Sequence, residues 1–228
     1  MTTNSHTLLR GCRVTLAVCV PLALLLSNLY VVASPAYIRS EYGKPAFPLA
    51  STYSGDERLA LAEATLYYMR SGEDAGYLAE LQTRGRPIYN AREVRHLIDA
   101  KRILRGAFWV QAICTLISLL AFFLDWRANG RPAGALRAVS RGCLALFLLL
   151  TSIGLLAYFN FNLFFTAFHR IFFEGDSWLF SRTDSLIQLF PIPFWTDATF
   201  LISTLSLLEL VVVSLAAHAL SSRLGGTE

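Results

Sequence analysis

The sequence has few charged residues and few cysteines, and both shortages restrict the class of protein it can encode. Charged residues make up 16% of its 228 positions, whereas hydrophobic residues make up 54%. Soluble domains carry about 25% charged residues, so a soluble domain of this length is a poor fit. The four cysteines form no C-x-x-C pair and lie in or near apolar runs, which argues against a disulfide framework and a cysteine-based metal site.

Common catalytic and nucleotide-binding motifs are also missing. The sequence contains no G-x-S-x-G elbow, no P-loop and no H-E-x-x-H, so it gives no support for a serine hydrolase, a P-loop enzyme or a zincin. The net charge is +4, but membrane topology accounts for the arginines behind it. Nucleic-acid binding therefore has no support.

The apolar residues are concentrated in four long runs. Each run approaches or exceeds the ~18 apolar residues that cross a bilayer core, and a spanning segment must satisfy its backbone polar groups internally as a helix. We therefore predict an all-α integral membrane protein with four transmembrane helices and a mainly helical extracytoplasmic insertion between spans 1 and 2. The predicted spans are 14–33, 104–124, 142–164 and 198–220.

Arginines indicate the side of the membrane on which each connecting segment lies. Arg10 and Arg13 precede the first span, and four arginines against the single acid Asp125 separate spans two and three. The positive-inside rule predicts that both termini are cytoplasmic. A cleaved signal peptide ending near Ala33 is the alternative for the first run, but the run is long for one and cleavage would leave an odd number of spans. The predicted cytoplasmic segments are 1–13, 125–141 and 221–228, and the predicted extracytoplasmic segments are the insertion 34–103 and the aromatic loop 165–197.

Helix signals divide the insertion into short elements. Its prolines and glycines predict that residues 37–54 are extended or looped. Asp56 is placed to cap a helix over residues 57–70, which Gly72 ends. A weaker helical pattern follows over residues 73–83.

A capping box begins the next helix. The Asn90 side chain is placed to accept from the Glu93 amide, while the Glu93 carboxylate reaches back, and no breaker follows until Gly106. The helix is therefore predicted to run directly into the second span. At about 1.5 Å per residue, His96 lies roughly two to three turns above the bilayer, with Asp99 on nearly the same helical face.

Two of the four histidines are candidates for proton-transfer chemistry. His96 precedes the second span and His169 follows the third, so both are expected near the external membrane surface. An ordinary interfacial histidine is the simpler interpretation of each. Imidazole is nevertheless the side chain best matched to proton transfer near neutral pH. A pair of imidazoles at a lipid–water boundary would be placed to act on the ester of a lipid head group. Zinc binding by both histidines and Asp99 is a further alternative, although His-x-x-Asp spacing is a weak signal.

Polar residues inside the predicted spans are few. Glu209 lies midway through the fourth span, where a carboxylate is a functional candidate. We favour a structural hydrogen bond to another span, because this position is far from the level of the histidines. Asn160 and Asn162, at the outer end of the third span, are expected to make polar contacts between helices.

Each of the two histidines lies in a segment rich in polar or aromatic residues. The first is Asn90-x-x-Glu93-x-x-His96-Leu97-x-Asp99. The second consists of Phe168, His169, Arg170, Ile171, Phe172, Phe173, Asp176, Trp178, Asp184, Leu186, Ile187, Phe190, Pro191, Phe194 and Trp195. Together the two segments resemble the bacterial membrane proteins that include the lipoprotein intramolecular transacylase, and the likeness extends over the full chain in span order and loop size.

The resemblance implies an acyltransferase of the bacterial plasma membrane whose partners are diacylated lipoproteins and membrane lipid, not nucleic acid. The sn-2 acyl chain of a diacylglyceryl-cysteine would move from a glycerol oxygen to the α-amine of that N-terminal cysteine, giving a lyso-form lipoprotein, with no cofactor and no metal. His96 and His169 match the family's functional histidines, at the outer face of the membrane. The supporting residues for orientation or substrate would be Glu93, Asp99, Arg170, Trp178 and Asp184.

Within this reaction we expect His169 to deprotonate the amine and His96 to assist at the leaving oxygen or the oxyanion. Glu93 or Asp99 would orient His96, and the aromatic loop would hold acyl chains. Ile192 stands where relatives often carry an acidic residue, which leaves the substrate preference open.

A non-catalytic assembly or accessory membrane protein is the main alternative. It predicts that both histidines tolerate substitution, whereas removal of residues 37–88 is not tolerated. A transporter or channel built around Glu209 is less consistent, because the spans hold few polar residues and the sequence has no visible internal repeat.

Overall fold

The structure is a computed structural model that describes residues 3–225, with side chains from His6 onward. Four helices among these residues are long and apolar enough to cross a membrane, which confirms the predicted all-α class with four spans. Residues 1–2 and 226–228, at the ends of the predicted cytoplasmic tails, lie outside the described residues. The candidate membrane helices are His6–Val32, Ala91–Asn129, Ala133–Phe159 and Ile192–Gly225.

The chain divides into two compact units. The bundle unit consists of Met1–Asn28, Ala107–Leu155 and Ile202–Glu228, and the insertion unit consists of Leu29–Gly106 and Leu156–Leu201. In chain order the elements are α1 (Thr3–Ser27), α2 (Leu29–Val32), α3 (Pro35–Tyr42), α4 (Gly55–Arg70), α5 (Ala75–Glu80), β1 (Gln82–Thr83), β2 (Arg86–Pro87), α6 (Ala91–Asn129), α7 (Ala133–Phe159), α8 (Phe161–Phe172), α9 (Ser185–Leu189) and α10 (Ile192–Gly225).

A glycine allows two helices of the bundle unit to approach closely. Gly142 of α7 lies against the backbone of Ala17 in α1, and a Cβ atom added at Gly142 would stand 1.9 Å from the Ala17 carbonyl oxygen. Lipid tails are as apolar as leucine, so membrane helices associate through close van der Waals packing rather than through burial from water. The core beside this contact includes Leu16, Cys143 and Leu210.

Polar contacts join the helices of the bundle unit, and two of them involve acidic side chains. Asn28 Nδ2 donates to Ser206 Oγ at 3.1 Å and to Glu209 Oε2 at 2.9 Å. The expected hydrogen bond between Glu209 and another span is therefore confirmed, with the Glu209 carboxylate as the acceptor. Arg13 Nε donates to Oδ1 of the fully buried Asp125 at 2.8 Å. Both contacts give partners to polar groups whose burial would otherwise be costly.

Helix α3 occupies part of the segment 37–54, for which an extended or looped conformation was predicted. Ser34 Oγ accepts from the Tyr37 amide, and Pro35 is the first helical residue. Proline at this position leaves no amide unpaired and has a φ suited to a helix, so it starts a helix here. The prediction is wrong for the part of the segment inside α3, and only residues 43–54 are non-helical.

The next elements keep the predicted order with shifted ends. Ser54, not Asp56, caps α4 within a capping box. Asp74 caps α5, which covers only part of the predicted helix 73–83 because β1 and β2 form an antiparallel hairpin there. The hairpin turn includes Gly85 with a φ of +74°, a conformation that glycine adopts without steric cost.

Helix α7 ends at Phe159, inside the predicted span 142–164. Asn160 is non-helical and its Oδ1 accepts from the Leu163 amide, so it is the N-cap of α8. Asn160 is thus a cap and not the interhelical contact that we expected, because a short polar side chain readily bonds nearby backbone amides. The break starts the helix that carries His169.

We predict that Gly142→Ala destabilises the bundle unit by about 1–3 kcal/mol, because the added methyl group forces α1 and α7 apart. Gly154→Ala on the same helix is the matched control, since nothing lies within 4 Å of its Cβ position and alanine favours helix. Thermal unfolding of the purified protein in detergent measures both. A Gly142→Ala protein as stable as the Gly154→Ala protein would contradict this packing.

Candidate active site

Helices α6 and α8 of the insertion unit bring His96 and His169 together. Their ring centroids are 6.1 Å apart and the ring planes differ by 15°. A local cap positions each helix: the Asn90 side chain accepts from the Glu93 amide at 3.0 Å at the start of α6, and Asn160 begins α8. The two histidines, which are distant in the sequence, therefore meet in one place within the insertion unit.

Aromatic rings enclose both imidazoles. Phe173 stacks on both, with its centroid 4.5 Å from that of His96 and 5.2 Å from that of His169. Phe165 and Trp178 lie 4.0 Å and 4.8 Å from His169. These contacts leave His169 only 8% exposed, so charges and hydrogen bonds that form beside its ring act in a lower dielectric than in water and are stronger.

A backbone hydrogen bond identifies the proton-free nitrogen of His169. Its Nδ1 lies 2.8 Å from the carbonyl oxygen of Phe165, and because a carbonyl only accepts, the neutral ring carries its proton on Nδ1. Nε2 therefore keeps its lone pair. On the other ring, Nδ1 of His96 is buried and has no hydrogen-bond partner among the described residues, a state that calls for an explanation such as a bound group.

Burial lowers the pKa of both imidazoles, which lie outside the predicted spans 104–124 and 142–164. Burial brings the pKa of His96 to about 4, with a further lowering from His169 and an opposing effect of Asp99. Burial also lowers the pKa of His169, against the effect of its backbone hydrogen bond. Near pH 7 both rings are thus neutral, in the form that accepts a proton.

Glu93 holds the aromatic loop against the start of α6. The residue is 2% exposed. Its Oε2 accepts from the Asn90 amide at 2.8 Å and its Oε1 accepts from the Leu186 amide at 2.8 Å. Backbone donors thus occupy both oxygens. We had expected Glu93 or Asp99 to orient the His96 ring, but Glu93 makes no hydrogen bond to it.

Asp184 attaches the same loop to α6. Its carboxylate accepts from Arg92 Nη2 at 3.0 Å and from the Ser181 amide at 2.7 Å. The Arg92 guanidinium also lies 5.2 Å from the ring centre of Phe180, which meets the His96 ring edge-on at 5.3 Å. Sequence reasoning missed Arg92 as a site residue, although it lies inside the capping-box motif and has a charge opposite to that of Asp184.

The other predicted site residues have different surroundings. Trp178 packs on His169 and its Nε1 donates to a backbone carbonyl at 3.1 Å. Asp99 pairs with Arg102 at 3.1 Å and acts on His96 through its charge. Arg170 is exposed and has no hydrogen bond or ion pair with another described residue. Within residues 3–225, no three His, Cys, Asp or Glu side chains form a group that could hold a metal ion.

Comparison with known sequences finds a family that spans most of the chain. The family model described as Lipoprotein intramolecular transacylase Lit matches residues 14–195, a stretch that contains both histidines of the site. An uncharacterized protein of Aquifex aeolicus (strain VF5) is 28% identical over 185 residues, which cover 80% of this chain and 82% of that protein.

Solved membrane structures have the same fold. The in meso structure of the membrane integral lipoprotein intramolecular transacylase Lit from Bacillus cereus matches with a TM-score of 0.71 at 16% identity, covering 98% of both chains. A form of that protein with a histidine-to-alanine mutation matches with a TM-score of 0.68 at 16% identity, covering 96% of both chains. At this level of identity the likeness shows the fold, which is that of a multi-pass helical membrane protein.

We predict that the protein loses stability as the pH falls from about 6.5 towards 4, in part because His96 must be protonated. Its pKa is about 4 in the folded protein and about 6.5 in an unfolded chain, so between these values the unfolded state binds more protons and unfolding becomes easier. Thermal unfolding in detergent at pH 7 and pH 5 measures the effect. His96→Gln should show a smaller loss than wild type.

His218→Gln is the matched control, because this histidine is exposed on α10. It should keep the wild-type dependence of stability on pH. An unchanged pH dependence in the His96→Gln protein would contradict the assignment of a buried, neutral His96.

Proposed function

The chain belongs to the lipoprotein intramolecular transacylase family, and from this membership we propose an O-to-N acyl transfer within bacterial lipoproteins. The sn-2 acyl chain of a diacylglyceryl-cysteine moves to the α-amine of the same N-terminal cysteine, which leaves a lyso-form lipoprotein. The observation that carries the proposal is the pair of neutral imidazoles, 6.1 Å apart between ring centroids, inside one aromatic enclosure.

The reaction asks little of the enzyme beyond orientation and proton transfer. Conversion of an ester to an amide is downhill, so it needs no ATP and no cofactor. Nucleophile and electrophile belong to one molecule. Holding them in a reactive geometry can give an effective concentration of about 10⁵ M or more. A site built from rigid aromatic rings and two imidazoles is suited to this task.

His169 Nε2 takes a proton from the α-amine while the amine nitrogen attacks the sn-2 ester carbon. The lone pair on Nε2 supports this role, since the bond from Nδ1 to the Phe165 carbonyl fixes the tautomer. The C–O bond to glycerol then breaks, and the glycerol oxygen takes the same proton from His169. Burial lowers the pKa of His169, which makes the protonated ring a stronger acid towards that oxygen.

His96 stabilises the negative charge that develops on the ester carbonyl oxygen. With a pKa of about 4, its ring is neutral and acts as a hydrogen-bond donor rather than as a cation. The buried Nδ1 without a partner among the described residues supports this role, because the oxyanion would supply the missing partner. A donor aimed at an oxyanion in a dry site contributes strongly to catalysis.

The site faces the outer leaflet of the bacterial plasma membrane, and both termini are cytoplasmic. The distribution of arginines supports this orientation. The aromatic residues beside His169 hold the acyl chains during transfer, and diacylated lipoproteins and the surrounding lipid are the partners. Glu93 and Asp184 support the reaction by holding the loop that carries these aromatic residues.

We predict that His169→Gln lowers formation of lyso-form lipoprotein by at least about 100-fold, because general base catalysis is lost. His96→Gln should also lower it strongly, through loss of oxyanion stabilisation. The measurement is mass spectrometry of lipopeptides from a bacterial host that makes diacylated lipoproteins and lacks other N-acylation. His218→Gln, an exposed histidine outside the site, is the matched control.

Each variant is first checked for membrane insertion and for its elution volume in detergent. Wild-type amounts of lyso-form from a folded His169→Gln protein would refute the proposed base. Tolerance of both substitutions, with loss of function on removal of residues 37–88, would favour an accessory protein instead.

A further inference from the structure

The bundle unit contains a cavity that the acyl-transfer proposal does not use. The cavity has a volume of about 590 Å³ and is lined by residues of α1, α6 and α7. Three arginines line it, Arg10, Arg13 and Arg141, together with His6 and Asn129. All of these residues belong to the end of the bundle that the arginine distribution predicts to be cytoplasmic.

The arginines of this cavity have few competing partners. Arg13 pairs with Asp125 through Nε at 2.8 Å, which leaves its two terminal nitrogens outside that contact. Arg10 and Arg141 make no hydrogen bond or ion pair with another described residue. Three guanidinium groups at one cavity repel one another unless an anion lies between them, so the composition points to an anionic ligand.

The fold makes room for one of these guanidinium groups. A Cβ atom added at Gly134 of α7 would stand 2.3 Å from Arg13 Nη2, so the guanidinium lies directly against the glycine. Asp125 holds the same side chain through Nε. An arginine that served only the positive-inside rule would need neither a glycine beside its guanidinium nor a buried acidic partner.

The cavity also has an apolar wall that continues along the membrane-facing side of α1. Val14 and Ala17 line it. Val14 and Val18, one turn apart on the same helical face, are 59% and 58% exposed. Guanidinium groups bind phosphate oxygens in bidentate pairs, and the exposed valines suit an acyl chain. Phosphate and acyl chain together describe a phospholipid.

We propose that this cavity binds the headgroup of an anionic glycerophospholipid such as phosphatidylglycerol. The phosphate lies between the guanidinium groups of Arg10, Arg13 and Arg141, and one acyl chain runs along Val14 and Val18. Basic pockets between transmembrane helices on the cytoplasmic side bind anionic lipid headgroups in this way. The site is independent of the acyl-transfer proposal, since no residue of the insertion unit takes part.

The chain supplies a charge-matched control for this site. Arg127 lies in the last turn of α6 and Arg131 lies between α6 and α7; both are exposed, and neither lines the cavity. Native mass spectrometry of the full chain in detergent, titrated with phosphatidylglycerol, measures the affinity. The double variant Arg10→Gln/Arg141→Gln should bind about tenfold more weakly or worse, whereas Arg127→Gln/Arg131→Gln should bind like wild type.

Two further titrations identify the ligand. Phosphatidylcholine should bind at least about tenfold more weakly than phosphatidylglycerol, and soluble glycerol 3-phosphate should not compete at the same concentration. Equal loss in both double variants, equal binding of phosphatidylcholine, or full competition by glycerol 3-phosphate would overturn the proposal. If Arg10→Gln/Arg141→Gln does not fold, Gly134→Ala displaces Arg13 instead and should weaken phosphatidylglycerol binding, and wild-type binding by that variant would also overturn it.

Discussion

The buried carboxylate of Glu93 joins two segments that are distant in the sequence, and the candidate active site depends on this junction. One oxygen caps the helix that carries His96, and the other accepts from the backbone of Leu186 in the aromatic loop. Asp184 adds an ion pair with Arg92 beside it. An unpaired carboxylate at 2% exposure would be costly, so the loop and the helix keep a fixed relation.

This fixed relation gives the two imidazoles their chemical character. The loop brings Phe173, Trp178 and Phe180 against the two imidazoles. Burial of the imidazoles lowers the pKa of both histidines. Neutral rings in a water-poor enclosure suit a reaction that moves one proton and stabilises one transient oxyanion. The polar residues of the site therefore act mainly on its architecture, and the two imidazoles are the groups to which we assign the proton transfer and oxyanion stabilisation of the proposed reaction.

The bundle unit follows a different physical rule. Its helices approach through Gly142, and polar contacts such as that of Asn28 with Glu209 join them. The carboxylate in the fourth span thus has a partner on another helix. Three arginines of this unit, Arg10, Arg13 and Arg141, line one cavity, where apolar walls and guanidinium groups together suit a phospholipid.

Amino-acid composition and local pattern determined the helical membrane class, the four spans and the helix that begins at Asn90, because span length and capping are properties of contiguous residues. The motifs around His96 and His169 identified both histidines as candidate site residues. Local pattern did not determine that Pro35 starts a helix or that Asn160 caps one. Only the tertiary structure decided that Glu93 binds the loop instead of His96, that Arg92 meets Asp184, and that Nδ1 of His169 bonds a carbonyl. These features join backbone and side-chain atoms in specific geometry, and sequence spacing cannot specify which donor a buried acceptor finds.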